Sequence, residues 1–269
     1  MLIFIATPIG NLEDISGRAL ETLKASDLIL CEDTRHSQIL LQRYSIQKPL
    51  LSFHQFNEKE REARILADLR EGKTISVLSD AGTPLISDPG LPLVQACIRE
   101  GIPFTAIPGP CSPILALSLS GFETDRFQFV GFLPREKGPL KETLHTLLFY
   151  RGTSIAFESP ERLLSTLSAI EALAPERELA VARELTKKFE ECRRGTATEL
   201  LAHFRECAPR GEIVLLIRAG SPPETEIDLV EMVELLKELH GLSTKEAIRA
   251  AAKLKGVPKS EVYRIVHCI

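Results

Sequence analysis

The feature that most constrains this chain is the alternation of short apolar runs with stretches spaced for helices. Residues 2–6, 27–32, 49–53, 74–78 and 102–107 are rich in aliphatic and β-branched side chains, and helix-spaced segments near 15–25, 34–44, 58–71, 91–99 and 114–120 separate them. Strand-helix alternation of this kind predicts an α/β fold with a mainly parallel sheet. Ligands of such sheets bind beyond the carboxyl ends of the strands, where loops and helix amino-termini converge. The loops after the apolar runs are therefore the first places to look for chemistry.

The richest of these loops is residues 79–90, Ser-Asp-Ala-Gly-Thr-Pro-Leu-Ile-Ser-Asp-Pro-Gly. Asp88 and Pro89 suit a helix cap and first helical position. Capping leaves Asp80, Gly82 and Thr83 unexplained, and a short acid, a flexible glycine and a hydroxyl beside a proline form a rigid loop suited to a ligand. Residues 7–14 (Thr-Pro-Ile-Gly-Asn-Leu-Glu-Asp) have the strand-loop-helix order of a nucleotide site. They match neither a G-x-G-x-x-G pattern nor a Walker lysine, so a phosphate cradle is not expected. Residues 32–36 (Glu-Asp-Thr-Arg-His) end the second run, with Asp33 or Thr34 as the cap of the next helix. Residues 108–113, Pro-Gly-Pro-Cys-Ser-Pro, form a stiff turn where backbone can lie flat against a ligand.

A second alternating series follows residues 121–126. Strands are expected at 127–132, 153–157, 178–182 and 212–217, with helices at 137–150, 160–173 and 196–207. Arg183 and Glu184 between them suit either a ligand or an ion pair joining domains. The predicted organisation is an N-terminal α/β domain, 1–120, a C-terminal α/β domain, 121–219, and a helical tail, 220–269. Residues 219–223 (Ala-Gly-Ser-Pro-Pro) form a linker by composition. The tail is acidic over 224–240 and basic over 241–269, and its second part resembles a helix-turn-helix: Ser243 and Glu246 form a capping box and Gly256 a helix stop. Nucleic-acid contact and a packing or dimer role are both open for it.

Composition narrows the class further. With 269 residues and 44% hydrophobic content, the chain can bury one large core or two smaller ones. No apolar run approaches the length of a membrane span, and residues 2–6 lack the flanks of a signal peptide, so a cytoplasmic protein with no membrane partner is expected. Six scattered cysteines without a C-x-x-C pair suggest reduced thiols. No cluster has metal-ligand spacing, so no structural metal is expected, and a loosely held magnesium stays open. A net charge of -4 argues against a uniformly basic nucleic-acid binder and leaves local patches possible.

Taken in order, residues 6–15, 32–36, 79–90, 107–110, 157–163, 182–187 and 194–196 resemble the signature of the ribosomal RNA small subunit methyltransferase I family, a branch of the tetrapyrrole methylase superfamily. The resemblance spans residues 2–218. It implies two α/β domains of the tetrapyrrole methylase, or class III methyltransferase, type, with the cofactor cleft between them and a small helical C-terminal appendage. It also implies a homodimer and S-adenosylmethionine-dependent 2'-O-methylation of a cytidine ribose in the decoding region of 16S ribosomal RNA, within the small subunit.

Carried over by position, the superfamily's cofactor contacts fall on Pro8, Ile9, Gly10, Asp80, Ala81, Thr83, Cys111, Ser112, Phe157, Glu158, Ala182, Arg183 and Glu212. Corrin and porphyrin methylases are similar but carry G-x-G-x-G-D where this chain has Ala6 to Asn11, and Gly-Asp-Pro where it has Ser79-Asp80-Ala81. Those departures point away from a tetrapyrrole substrate. A methyltransferase of the same fold acting on a small molecule, and a non-catalytic RNA-associated protein, remain the competing readings.

A ribose hydroxyl needs a base to take its proton. Asp33, Glu158 and Glu184 lead as candidates, with His54 and Lys187 behind them. Asp80 is the expected partner for a cationic cofactor. Arg35, His36, Arg43, Lys187, Arg193, Arg194, Lys253, Lys255 and Lys259 are the expected contacts to RNA, since phosphates are held by local basicity.

Overall fold

The computed structural model describes residues 1–220 and 228–267, which fall into two compact units, Met1–Gly220 and Ser221–Ile269. The linker read at Ser221, Pro222 and Pro223 lies outside the described residues.

The first unit opens with β1 (Leu2–Ile5), α1 (Gly17–Ala25), β2 (Leu28–Cys31), α2 (Thr34–Arg43), β3 (Leu50–Ser52), α3 (Glu58–Arg70), β4 (Ile75–Leu78), α4 (Leu91–Glu100), β5 (Phe104–Ile107) and α5 (Ser112–Ser120). The five strands form one parallel sheet, β3-β2-β4-β1-β5. Period-2 alternation supplies both of its cores. Leu2 and Phe4 join Ile65, Leu66, Leu69 and Leu93 on one face, whereas Ile3 and Ile5 join Ala19, Leu23, Leu40 and Leu41 on the other. Each buried aliphatic side chain contributes about 1.5–3 kcal/mol.

Register decides where the site goes. Ile5 pairs with both Leu78 and Ile107, and Leu78 pairs with Cys31, so four strands end on one level. The loops beginning at Ala6, Glu32, Ser79 and Pro108 consequently leave the sheet side by side.

The second half comprises β6 (Phe127–Phe132), α6 (Lys137–Leu148), β7 (Thr153–Glu158), α7 (Pro160–Leu173), β8 (Glu178–Arg183), β9 (Glu191–Thr196), α8 (Ala197–Glu206) and β10 (Ile213–Ile217). Its sheet, β6-β7-β10-β8-β9, is mixed: only β6 and β7 run parallel, and β10 lies antiparallel between β7 and β8. Strand β9 is absent from the sequence reading, which leaves Arg193 and Arg194 in a loop. They lie instead on an edge strand paired with β8. Charged residues are common on such edges, where they discourage pairing with other chains.

One face of this sheet packs on α6, α7 and α8 through residues such as Leu144, Leu167, Leu200, Val181 and Leu215. Its other face is covered from the first half: Ala116 and Leu117 of α5, with Ile9, pack against Ile155, Ala180, Val214 and Leu216. Helix α5, which sequence places within the N-terminal domain, therefore joins the two sheets into one body.

The second unit contains α9 (Leu229–His240), α10 (Thr244–Lys255) and α11 (Lys259–His267), closed over Val233, Ala247, Ile248, Ala251 and Val262. Ser243 and Glu246 form a reciprocal capping box, and Gly256 ends α10 at φ 67°. Lys245, Arg249, Lys253, Lys255, Lys259 and Arg264 are all exposed.

Candidate functional site

The level strand ends of the first sheet and one end of the second enclose a cavity of about 380 Å³. On the first-sheet side, the loops are locked to each other. Thr7 and Gly82 exchange backbone hydrogen bonds at 2.9 and 3.1 Å, the Ser79 hydroxyl donates to the Gly82 carbonyl at 2.6 Å, and the Thr83 hydroxyl donates to the Pro110 carbonyl at 3.0 Å. Gly82 holds φ at +85°, and any Cβ there would press on Ile9 at 3.2 Å. On the far side, register brings Glu158, Ile213 and Arg183 onto one row.

The loop after β8 holds Glu184 and Thr186 at φ 51° and 63°, a conformation that costs a non-glycine residue about 1–3 kcal/mol. Its contacts offset that cost: the Thr186 hydroxyl accepts from the Asn11 N–H at 3.1 Å, and the Glu184 carboxylate accepts from the Glu212 N–H at 3.2 Å and the Lys187 ammonium at 2.9 Å. Gly10 is required at this joint, because a Cβ would lie 2.9 Å from the Leu185 carbonyl.

Of the cofactor contacts expected from sequence, Ile9, Asp80, Ala81, Ser112, Phe157, Glu158 and Glu212 line the cavity. Gly10 and Thr83 hold the surrounding loops together. Pro8 borders a smaller hollow with Thr7, Leu12, His36 and Asp80. Cys111 is the N-cap of α5, Ala182 is wholly buried in the sheet core, and Arg183 is paired with Glu191 at 2.5 Å.

The structure separates the three candidate bases. Asp33 caps α2 by accepting from the Arg35 N–H at 2.8 Å, and its pKa falls to about 2 through hydrogen bonds from the Arg35 side chain and backbone. Glu158 is buried and held by its neighbours: it accepts from the Ser159 N–H at 2.8 Å and the Thr166 hydroxyl at 2.6 Å, and Arg162 lies 3.4 Å away. Lys187 and then the Glu212 N–H hold Glu184 below the ordinary carboxylate range. His54 sits on another loop, where its Nε2 pairs with Asn57.

The basic residues divide similarly. Arg35, His36 and Arg43 are exposed on α2, with Arg35 paired to Asp33. Lys187 is shared between Glu184 and Glu212 at 2.9 and 3.2 Å. Arg193 is exposed on β9. Arg194 serves the fold instead, because its guanidinium donates to the Ser120 carbonyl at 2.7 Å and to that of Leu119, satisfying the carboxyl end of α5.

Several cavity residues escape the sequence reading. Ile86, Ser87, Ser159, Pro160 and Leu185, from loops that sequence singles out, and Phe132, Gly211, Ile213 and Val214 complete the wall without having been named as contacts. Asp88 is the instructive case. The expected cap at Asp88 is not formed: α4 starts two residues later, with Gly90 as N-cap at φ 119°. Positive φ at Leu85 (72°) and Ser87 (69°) folds the loop back, and Asp88 lines the cavity. Its Oδ2 is buried without a hydrogen-bond partner. Its pKa is pushed up to about 6 by burial and then by the charges of Glu32 and Asp80.

No group of three or more His, Cys, Asp or Glu is arranged to hold a metal ion among the described residues. No helix among them is long and apolar enough to cross a membrane.

Comparison with known proteins places this geometry. Residues 1–201 match the family model of tetrapyrrole (corrin/porphyrin) methylases. A ribosomal RNA small subunit methyltransferase I from Halalkalibacterium halodurans is 42% identical over 99% of this chain and 94% of its own length, and one from Thermotoga maritima is 49% identical over 80% of this chain and 97% of its own. A uroporphyrin-III C-methyltransferase from Thermus thermophilus, solved in complex with S-adenosyl homocysteine, superposes with a TM-score of 0.56 at 16% identity, covering 81% of this chain and 96% of that one. With that likeness carried by fold and the near full-length identity carried by sequence, the chain belongs to the ribosomal RNA small subunit methyltransferase I family of tetrapyrrole methylases.

Proposed function

We propose that this protein transfers a methyl group from S-adenosylmethionine to the 2'-hydroxyl of a cytidine ribose in the decoding region of 16S ribosomal RNA, with the small ribosomal subunit as substrate. The observation that carries this reading is the lined cavity, set in a chain 42% identical over nearly its full length to a protein named for ribosomal RNA methylation. When bound, S-adenosylmethionine supplies an electrophilic methyl on a sulfonium.

The residues present suit that group. Phe157, Phe132, Ile9 and Val214 offer apolar walls, Asp80 and Glu212 offer negative charge for a cation, and the buried Asp88 oxygen lacks a donor. Ser112 and Pro160 open α5 and α7, so two helix amino-termini with partial positive charge border the cavity, suited to a carboxylate. Asp80 is itself oriented, its Oδ1 accepting from the Asp33 N–H at 3.2 Å. In an in-line displacement the protein's work is alignment, and locked loops on both sides of one cavity supply it.

Exposed Arg35, His36, Arg43 and Arg193, with Lys253, Lys255 and Lys259 of the tail, are the proposed phosphate contacts. A homodimer in the cytoplasm belongs to the same reading. The test is to incubate the protein with methyl-labelled S-adenosylmethionine and small subunits that lack the modification, then digest the RNA to nucleosides. Labelled 2'-O-methylcytidine is expected; label on a base, or transfer only to a tetrapyrrole precursor, would overturn the assignment.

A further inference from the structure

The loop between β8 and β9 reads Glu184-Leu185-Thr186-Lys187-Lys188-Phe189-Glu190, and its tip is a tight turn. The Glu190 N–H donates to the Lys187 carbonyl at 3.1 Å, which puts Lys188 and Phe189 at the two corners. Turn corners favour glycine, proline and short polar side chains, so turn formation does not account for a phenylalanine there. Core packing does not account for it either, because Phe189 is 67% exposed.

The tip is rigid and anchored beside the cavity. The Thr186 N–H donates to the Glu190 carboxylate at 2.6 Å, and the Lys187 N–H donates to the Glu184 carbonyl at 3.0 Å. Leu185 lines the cavity, and the Lys187 ammonium reaches Glu212, another lining residue, at 3.2 Å. The Asn11 N–H, donating to the Thr186 hydroxyl at 3.1 Å, ties the same loop to the first sheet. A ring displayed on a loop held this firmly is preorganised, so a partner that covers it meets little further ordering cost.

Charge and ring chemistry select the partner. Lys188 is exposed, with its ammonium 5.6 Å from the Phe189 ring centroid, so a cation and an aromatic face are offered together. The acids nearest along the chain are engaged elsewhere: Glu184 and Glu212 with Lys187, Glu190 with the Thr186 N–H, and Glu191 with Arg183. A cavity of about 380 Å³ between two sheets admits a nucleotide turned out of its strand, and not a duplex. Turning one nucleotide out uncovers the face of its neighbour, and proteins that bind unpaired RNA stack such bases on aromatic side chains. We propose that Lys188 and Phe189 form a platform for the RNA strand: Phe189 stacks the base next to the methylated nucleotide, and Lys188 holds the adjoining phosphate. The inference rests on the proposed function and extends it to residues outside the cavity wall.

The test compares wild type, Phe189→Ala, Phe189→Tyr and Lys188→Gln. It measures filter binding to unmodified small subunits across a potassium chloride series, S-adenosylhomocysteine affinity by calorimetry, methyl transfer and sedimentation. Phe189→Ala should bind subunits about fivefold to a hundredfold more weakly, with the salt slope of wild type. Phe189→Tyr keeps the ring and should bind within about threefold of wild type. Lys188→Gln should flatten the slope of log affinity against log salt by about 0.7, the value for one phosphate on a single strand. All three should bind S-adenosylhomocysteine within about threefold of wild type, since neither residue lines the cavity. Wild-type affinity in Phe189→Ala, an equal loss in Phe189→Tyr, or an unchanged slope in Lys188→Gln would each overturn the platform. A changed sedimenting mass in Phe189→Ala would also overturn it, by assigning the ring to contact with a second copy of the chain. Subunit binding by wild type without ribose methylation would instead defeat the proposed function, and the binding comparison would still decide the platform.

Discussion

Asp88 links the site to stability with a definite sign. Its folded pKa of about 6 lies above the ordinary carboxylate value near 4, so the folded protein favours the protonated form. The stabilisation from that proton is complete below about pH 4 and is lost as pH rises through about 6. Asp88→Asn should therefore melt above wild type at pH 7.5, with the difference vanishing near pH 4, as calorimetric melting curves would record. Arg194 offers a contrasting case. Because its guanidinium serves the carbonyls of Leu119 and Ser120, Arg194→Ala should lower stability by about 1 kcal/mol in denaturant titrations and leave the salt dependence of RNA binding unchanged. Neither role is legible in sequence: Asp-Pro reads the same whether a helix starts at 89 or 91, and an arginine beside a glycine carries no sign of the helix end it will meet.

At the scale of elements, the loop of residues 79–90 behaves as one piece because Thr7, Ser79, Gly82 and Thr83 tie it to neighbouring loops. Thr83→Val keeps the shape and removes the bond to the Pro110 carbonyl. A loss of about 1 kcal/mol is expected, seen by calorimetry as roughly fivefold weaker S-adenosylhomocysteine binding. Unchanged affinity would mean that this bond does not shape the site. Sequence locates this loop and its strand because β-branched residues give way abruptly to glycine, proline and short polar side chains. It locates α7 and α8 equally well. It misses β9, since Glu-Cys-Arg-Arg-Gly-Thr shows no apolar alternation and only the pairing with β8 makes it a strand. Sequence does locate β10, expected at 212–217, but not its antiparallel direction, because local pattern reveals a strand and not which way it runs.

Across the whole molecule, the first unit carries its own cores, and helix α5 fastens its two sheets together. Removal of the chain after Gly220 should therefore leave a folded, cofactor-binding protein. If the exposed lysines and arginines of α10 and α11 hold phosphates, that truncation weakens RNA binding and flattens its dependence on salt; fluorescence anisotropy across a potassium chloride series would show both. Equal affinity and slope would remove the tail from the RNA-binding surface. The order of loops along the chain, more than any single motif, made the family legible, and four of those loops, through Ile9, Asp80, Glu158 and Leu185, line one cavity. The most direct test of that cavity is methyl transfer from labelled S-adenosylmethionine to unmodified small subunits by wild type and Asp80→Ala side by side, with the product mapped to ribose or base. Ribose label from wild type and its loss in the variant are predicted, whereas full transfer by Asp80→Ala, or label on a base, would contradict the account.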